Sequence, residues 1–439
     1  MGSIKTLYVC QSCGHEITRW VGQCPSCGAW NTLVETVTAK KNTKTQSRST
    51  AKIQMPISLS KIISDVPKRI SSNITEFDRV IGGGFVPGQV VLLSGDPGVG
   101  KSTLLTQLAN KLSDEKVLYV CGEENLGQVK IRAARMNYKA ENLYAISETD
   151  VDSVVDVIKQ TPELSLIIVD SIQSMLCTDL TGVAGSVGQV KECAQRLTLV
   201  AKEVSIPIII VGHVTKEGTV AGPKVLEHIV DTVLYLEGDS QHLFRILRTT
   251  KNRFGPVSEI GVFEMDESGM LEVSNPSQLF LSERSADKVG SCITVIMEGY
   301  RPLLFEVQAL AIKTNFGYPK RTTSGFNANR LQVLIAVLEK CCGVHLSSYD
   351  VYLNVAGGFK INENAADLAV CLAVVSSIKN IPLVDVVAFG ECGLLGEIRK
   401  VPQLQQRINE AKKMGFTHIL APENIRSISQ AIREASKSI

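Results

Sequence analysis

The stretch Gly95-Asp96-Pro97-Gly98-Val99-Gly100-Lys101-Ser102 matches G-x-x-x-x-G-K-[ST], the pattern of a loop that binds nucleotide phosphates. Its glycines allow backbone N–H groups to curl around phosphate oxygens, and the helix that follows favours anions at its start. In this chemistry Lys101 reaches the β- and γ-phosphates, and Ser102 holds Mg²⁺. A simple glycine-rich turn is the alternative, but an apolar strand at 89–94 and a helical pattern from 103 disfavour it. The sequence therefore predicts ATP and Mg²⁺ at this loop.

Acidic residues follow two other apolar runs. Asp170 ends such a run, as does a Walker-B acid, and we expect it to organise the Mg²⁺ shell together with Ser102 rather than only to cap a turn. Glu123 and Glu124 follow another predicted strand, and one of them is placed to polarise the attacking water. We favour Glu123; a surface acid at a helix start is the alternative. His213 also ends a strand and could sense the γ-phosphate, although a histidine there is as often structural.

Four cysteines near the start form two C-x-x-C pairs: Cys10, Cys13, Cys24 and Cys27. Four thiolates in this arrangement suit tetrahedral Zn²⁺, and a glycine after each pair allows the turn of a metal knuckle. A redox dithiol would need only one pair, and a disulfide is the remaining alternative. The chain's two tryptophans, Trp20 and Trp30, lie in the same segment, where they either pack the ribbon or form a contact surface. Whether this predicted zinc ribbon binds DNA or a partner stays open.

The elements that must position these groups alternate between apolar strands and helical stretches from residue 58 to about 275, which predicts an α/β fold with a mainly parallel sheet. Polar groups at the carboxyl ends of parallel strands converge on a ligand crevice. A polar, basic and aperiodic stretch at 36–57 predicts a flexible linker. After 285 the pattern changes to a strand pair, a helix, a strand and another helix, an α+β arrangement. We therefore predict the domains 1–35, 36–57, 58–280 and 285–439.

Composition indicates an ordinary globular protein, with 439 residues, 44% hydrophobic, 21% charged and a net charge of +2. This balance argues neither for nor against nucleic acid, so any basic surface must be local. No apolar run approaches the length of a membrane helix, and the start lacks the apolar core of a signal peptide. Cysteines such as Cys121, Cys193 and Cys371 lie scattered in apolar segments. We therefore expect a cytoplasmic protein without membrane contact.

Five features in one order resemble the RadA (Sms) family of bacterial DNA repair ATPases. These are the four-cysteine finger, the phosphate loop, Gly122-Glu123-Glu124, the stretch 222–228, and Lys251-Asn252-Arg253-Phe254-Gly255. The last pentapeptide is the family's hallmark. Asn125 stands where the family usually has Ser, and Asn364 where it usually has Pro, but neither is assigned to chemistry.

The resemblance implies a RecA-like ATPase that forms a homo-oligomeric, hexameric ring and acts beside a RecA-type recombinase. It implies binding of single-stranded and branched DNA and branch migration of recombination intermediates, in a stress-response and DNA damage setting. Lys251 and Arg253 are then expected to act on a neighbouring subunit's γ-phosphate, as an arginine finger does, or on DNA phosphates. A basic loop on a solvated face is the alternative. The glycine-rich loop at 180–192 would face DNA, with Lys191 and Arg196 as weak candidates for phosphate contacts.

The segment 285–439 resembles the Lon protease domain, which uses a Ser nucleophile and a Lys base. The Ser position reads Ala365 here, and the Lys region reads Leu404-Gln405-Gln406-Arg407, so acyl transfer lacks its chemistry. We therefore expect an inactive scaffold for ring assembly, with DNA binding as a further role, which disfavours an ATP-dependent protease. The main alternative to a translocating enzyme is a nucleotide-switched, RecA-like DNA-binding assembly factor.

Overall fold

The computed structural model describes residues 5–38, 58, 68–213, 223–238, 244–281, 288–314 and 317–436. Contacts within the chain divide it into two compact units, Met1–Glu272 and Val273–Ile439. The predicted linker 36–57 lies outside the described residues from 39 onwards. Among the described residues, the helices are all too short or too polar to cross a bilayer.

The first unit begins with a small antiparallel sheet in the order β2-β1-β3. Its strands are β1 (Lys5–Cys10), β2 (Glu16–Ile17) and β3 (Leu33–Thr38). Its buried residues are Cys10, Cys24 and Leu33, with Tyr8, Ile17 and Val21 packed against them. So small a core stabilises little by itself, which fits a segment folded around a metal ion.

A nine-stranded sheet forms the rest of the first unit. The helices and strands in chain order are α1 (Thr75–Ile81), β4 (Val90–Gly95), α2 (Lys101–Lys111), β5 (Lys116–Cys121), α3 (Leu126–Arg135), β6 (Leu143–Ser147), α4 (Val151–Gln160), β7 (Leu164–Asp170), α5 (Val187–Val204), β8 (Ile208–His213), α6 (Pro223–Leu226), β9 (Thr232–Glu237), β10 (Phe244–Asn252), β11 (Ile260–Asp266) and β12 (Gly269–Glu272).

The strand order is β12-β11-β10-β9-β4-β8-β7-β5-β6. The six strands from β9 to β6 are parallel, and β10 to β12 extend the sheet as antiparallel neighbours. The mainly parallel α/β sheet predicted from the sequence is therefore confirmed.

Both faces of β4, β5, β7 and β8 are buried, which explains why these strands read as continuous apolar runs. On β4, Val91 and Leu93 belong to the core that includes α1, α2 and α3. Val90 and Leu92 point to the opposite core, which includes α4 and α5. This two-sided burial holds the carboxyl ends of β4, β5, β7 and β8 at one edge of the sheet.

The second unit has a six-stranded mixed sheet in the order β15-β16-β14-β13-β17-β20, beside a two-stranded ribbon of β18 and β19. Its elements are α7 (Pro276–Leu281), β13 (Ser291–Glu298), β14 (Arg301–Lys313), β15 (Arg321–Ser324), α8 (Ala328–Cys342), β16 (Tyr349–Val355), α9 (Asp367–Lys379), β17 (Val386–Ala388), β18 (Glu391–Cys392), β19 (Ile398–Arg399), α10 (Leu404–Lys413), β20 (His418–Leu420) and α11 (Ile428–Ala435).

Helix α10 packs on this sheet through Ile408 and Ala411, which join Ile293, Val295 and Leu304 in one buried cluster. The unit is a mixed α/β arrangement, and its strand pair, helices and strand lie where the sequence pattern predicted them. Helix α7 belongs to this unit, although the predicted boundary placed most of it in the nucleotide-binding domain.

Candidate nucleotide site and zinc ribbon

The phosphate loop connects β4 to α2, and its glycines adopt backbone conformations that other residues rarely reach. Gly95, Gly98 and Gly100 have φ of +152°, +76° and +111°. A Cβ on Gly95 would lie 2.3 Å from the carbonyl oxygen of Leu236 on β9. The loop therefore needs glycine both for its turn and for its close approach to the neighbouring strand.

Lys101 is 5% exposed and lies inside the loop. Its Nζ donates to the carbonyl oxygens of Gly95 at 2.8 Å and Asp96 at 3.0 Å. Burial lowers the pKa of Lys101, while the nearby charges of Asp170 and Asp96 oppose this shift. An anionic phosphate in the loop would favour the charged ammonium in the same way.

Ser102 and Asp170 meet directly although 67 residues separate them in the chain. The hydroxyl of Ser102 donates to Oδ2 of Asp170 at 2.8 Å. The buried hydroxyl of Tyr119 donates to the same oxygen at 2.6 Å. Burial is the largest cause that raises the pKa of Tyr119, and the charge of Asp170 acts in the same direction. The hydroxyl therefore keeps its proton and remains a hydrogen-bond donor. A hydroxyl and a carboxylate at one point are the donor set that Mg²⁺ prefers, so these residues fit a magnesium ion.

Glu123 follows β5 and lies beside the same edge. The hydroxyl of Ser171 donates to its Oε1, and Nε2 of His213 lies 3.5 Å from its Oε2. The contact with His213 is the largest influence that lowers the pKa of Glu123, and the bond from Ser171 and the charge of Lys101 act in the same direction. Glu123 is therefore an ionised carboxylate at neutral pH, the form that a general base requires.

Glu124 points elsewhere. It forms an ion pair with Arg132 at 2.7 Å, and Arg132 also donates to the hydroxyls of Thr106 at 3.0 Å and Tyr119 at 3.3 Å. The structure thus separates two neighbouring acids: Glu123 faces the strand ends that carry Asp170 and His213, while Glu124 braces helix α3.

Lys251 and Arg253 lie at the opposite end of the sheet from the phosphate loop of their own chain. Asn252 pairs with Thr232 at the start of β9, whereas the loop begins beside Leu236 near the end of that strand. Four residues of strand separate these positions by about 13 Å. Neither cation is therefore near its own chain's nucleotide loop.

The two cations differ in availability. Nζ of Lys251 donates to the carbonyl oxygens of Glu227 and Val230, and burial lowers its pKa. Arg253 forms an ion pair with the buried Asp231 at 3.1 Å, but its side chain remains 49% exposed. Lys251 thus anchors a turn, while Arg253 presents its guanidinium at the surface.

Arg196 and Lys191, the two other residues predicted to contact phosphate, differ in their surroundings. Arg196 donates to three carboxylates, those of Asp152, Asp179 and Glu192, so its charge is already balanced. Lys191 is exposed on α5.

The four N-terminal cysteines converge as the sequence predicted. Their sulfur atoms all lie within 4.8 Å of one another, with 3.7 Å between Cys10 and Cys27 and 3.6 Å between Cys13 and Cys24. Tetrahedral Zn–S bonds of about 2.3 Å require sulfur separations near 3.8 Å. Gly14 and Gly28 have φ of +73° and +71°, as the turn after each knuckle requires. The residues therefore fit zinc.

In the second unit, Ala365 is buried among apolar neighbours that include Val295, Phe389 and Ile408. Arg407 is fully buried and forms a two-point pair with Glu363, with both N–O distances at 2.7 Å. Arginine does not supply the amine of a lysine base, and an alanine offers no nucleophile.

Sequence reasoning missed three polar residues of the nucleotide site: Tyr119, Arg132 and Ser171. Tyr119 lies within an apolar strand and Arg132 within a helix, where neither stands out by pattern. Only Ser171 gave a signal, since it directly follows the acid at the end of β7. The contacts of Tyr119 and Arg132 depend on sheet register and helix packing, which spacing in the sequence does not reveal.

Two known families match parts of the chain. The family described as AAA domain matches residues 58–219, and the family described as rubredoxin metal binding domain matches residues 8–35. Both matches agree with the zinc ribbon and the RecA-like ATPase core expected from the sequence.

Full-length relatives are found among curated bacterial proteins. The chain is 48% identical to DNA repair protein RadA of Bacillus subtilis, covering 96% of this chain and 93% of the relative. It is 46% identical to DNA repair protein RadA of Listeria monocytogenes, and this match covers 95% of this chain and 92% of the relative. It is 47% identical to DNA repair protein RadA of Streptococcus pyogenes serotype M6, and this match covers 97% of this chain and 94% of the relative.

Proposed function

Since this chain belongs to the family of DNA repair protein RadA, we propose that it is a DNA-dependent ATPase that binds single-stranded DNA and drives branch migration of recombination intermediates beside a RecA-type recombinase. The observation that carries the proposal is the meeting of Lys101, Ser102, Asp170 and Glu123 at the carboxyl edge of one parallel sheet. This edge is where ligands bind in open α/β sheets.

In the proposed reaction, the loop 95–102 cradles the phosphates with its backbone N–H groups. Lys101 sets its ammonium against the β- and γ-phosphates, where it stabilises the charge that develops in the transition state. Ser102 and Asp170 would hold Mg²⁺, which when bound offsets the phosphate charge. Glu123 accepts a hydrogen bond from the attacking water and orients it towards phosphorus.

Ser171 and His213 position Glu123 in this scheme. Ser171 fixes one carboxylate oxygen, and His213 lies against the other from the end of β8, the strand next to the phosphate loop. A γ-phosphate near His213 would compete with Glu123 for interaction with the imidazole and would change the contact between the two side chains. The hydrolytic base would thereby respond to the presence of the γ-phosphate.

Arg253 is the residue that we propose to act across a subunit boundary. It is too far from its own nucleotide loop and half exposed, whereas Lys251 is tied to two carbonyl groups. In a closed ring built by head-to-tail contacts, the back edge of one sheet can face the nucleotide edge of the next. Arg253 would then stabilise the γ-phosphate of the neighbouring subunit, and a hexamer is the ring that we expect.

We propose that the second unit is a catalytically inactive Lon-like scaffold for this ring. The support is chemical, because Ala365 has no hydroxyl and Arg407 is locked to Glu363. Peptide hydrolysis that requires this unit would contradict the assignment.

A nucleotide-switched DNA-binding assembly factor is the second candidate, since the same loop could gate assembly without movement along DNA. The two differ in a strand-exchange assay on a three-stranded, branched DNA with a labelled strand. A motor extends the joint directionally during ATP turnover and stalls with a non-hydrolysable ATP analogue. A switch leaves the branch point in place under both conditions, although it binds the same DNA.

A further inference from the structure

The zinc ribbon exposes two large aromatic side chains side by side. Trp20 is 55% exposed and Trp30 is 69% exposed, and no other tryptophan occurs in the chain. Both rings approach one point, because a Cβ at Gly22 would lie 3.9 Å from Cη2 of Trp20 and 3.7 Å from Cζ3 of Trp30. We call this pair of side chains, Trp20 and Trp30, the tryptophan platform.

The backbone, not burial of the rings, fixes the platform. Gln23 and Trp30 form an antiparallel bridge, and the N–H of Asn31 donates to the carbonyl of Gly22 at 2.8 Å. The N–H of Cys24 donates to the carbonyl of Ala29 at 2.9 Å, next to the second metal knuckle. The buried ribbon core consists of other residues, so the two indoles contribute little to it and remain largely exposed.

Charge favours one class of ligand. The exposed Arg19 adjoins Trp20, and within the ribbon segment 1–35 the acids Glu16 and Glu35 are matched by Lys5 and Arg19. The sequence that follows, 39–57, contains no acid but carries Lys40, Lys41, Lys44, Arg48 and Lys52. Aromatic rings beside cations are the combination that binds single strands, because bases stack on the rings and phosphates pair with the cations.

We propose that the tryptophan platform stacks unpaired bases of single-stranded DNA, with Arg19 beside the sugar-phosphate backbone. The proposal rests on the proposed function because it assumes that the protein binds DNA. It adds that the zinc ribbon, and not the ATPase sheet alone, contacts the DNA. Aromatic rings stack on bases of any sequence, since every base offers a π-face. The ribbon would therefore hold DNA without sequence preference.

The experiment uses the intact, zinc-loaded protein and a deoxythymidine homopolymer. Because both tryptophans belong to the platform, intrinsic tryptophan fluorescence reports on this site and on no other. Anisotropy of a dye-labelled copy of the same oligomer measures total binding independently. Stacking predicts that tryptophan emission is quenched in step with the rise of anisotropy.

Variants separate stacking from folding. W20A and W30A should each weaken oligomer binding about fivefold or more, the range expected for loss of one base stack. W20F and W30F keep an aromatic face and should bind within about twofold of the native protein. Y144A, which removes a half-exposed aromatic residue from β6, is the matched control and should bind like the native protein. Zinc content of each variant shows whether the ribbon remains folded.

Three results would overturn the proposal. Normal anisotropy with unchanged tryptophan emission, and with alanine variants that bind equally well, would exclude base stacking and leave a protein partner as the platform's ligand. Phenylalanine variants that retain zinc but bind as poorly as the alanine variants would exclude a role for the aromatic face. Absence of any anisotropy change, with or without ATP, would contradict the proposed function together with the platform.

Discussion

The contrast between Glu123 and its neighbour Glu124 makes the site testable with two nearly identical substitutions. E123Q keeps the size of the side chain and can still accept the bond from Ser171, but it removes the negative charge that would orient water. E124Q removes the charge that pairs with Arg132 and leaves the edge of the sheet near Asp170 intact. The pair therefore compares the same chemical change at adjacent positions.

General-base assistance contributes about 10²- to 10⁴-fold to a rate, or about 3–5 kcal/mol of transition-state stabilisation. We expect E123Q to lower kcat for ATP by that factor while the affinity for ATP stays within about threefold. E124Q loses an ion pair whose carboxylate is 37% exposed, so it should reduce the free energy of unfolding by about 1 kcal/mol or less. Its kcat should change by less than about threefold.

The assay is steady-state phosphate release at saturating single-stranded DNA, with nucleotide binding measured separately from a fluorescent ATP analogue. The pKa of Glu123 lies below its ordinary value of 4.5, chiefly because of His213. The carboxylate is therefore ionised throughout the neutral range, and the rate should fall only as the pH drops through that lowered pKa. Removing the imidazole in H213A should move this acid limb to higher pH.

Equal losses in E123Q and E124Q would refute the separation of their roles. An E123Q protein that keeps more than about a tenth of native turnover would show that another group orients the water. An acid limb that does not move in H213A would refute the contact with His213 as the cause of the lowered pKa.

Other substitutions test the surrounding contacts. Y119F removes a buried donor to Asp170 and should lower the free energy of unfolding by about 1–3 kcal/mol, measured by urea denaturation; an unchanged midpoint would show that this bond contributes nothing. R407L leaves the carboxylate of Glu363 unpaired and should lower the free energy of unfolding by about 3 kcal/mol in the same measurement. This value is at the low end of the range for breaking a buried ion pair because the side chain of Glu363 is 28% exposed. R253A should abolish DNA-stimulated turnover and branch migration while ATP binding persists, and full activity of this variant in a purified assay would exclude the proposed role of Arg253.

Local patterns predicted the nucleotide loop, the zinc ligands and the strands that carry Asp170 and Glu123, because each of these depends on neighbouring residues. The loop requires glycines between a strand and a helix, and the ligands come in two close pairs. The parallel sheet was predicted from continuous apolar runs, because a strand that is buried on both faces does not alternate between apolar and polar residues. Burial on both faces does not extend to β6, which lies at the edge of the sheet and is only partly buried.

Contacts between distant parts of the chain could not be predicted in this way. Lys251 looked as free as Arg253, but the carbonyl groups of Glu227 and Val230 satisfy its ammonium. Arg196 was a weak candidate for a phosphate contact, but Asp152 and Asp179 from other parts of the chain pair with it, in addition to Glu192 on its own helix. In each case the charge is visible in the sequence, while its partner is set by packing.

We propose above all that the loop at 95–102 drives a DNA-dependent ATPase. The most direct test of this claim is the rate of ATP turnover with and without single-stranded DNA, for the native protein and for K101A. We predict that DNA raises the turnover of the native protein and that K101A shows no turnover above background under either condition. Turnover by K101A, or a native rate that DNA leaves unchanged, would contradict the claim.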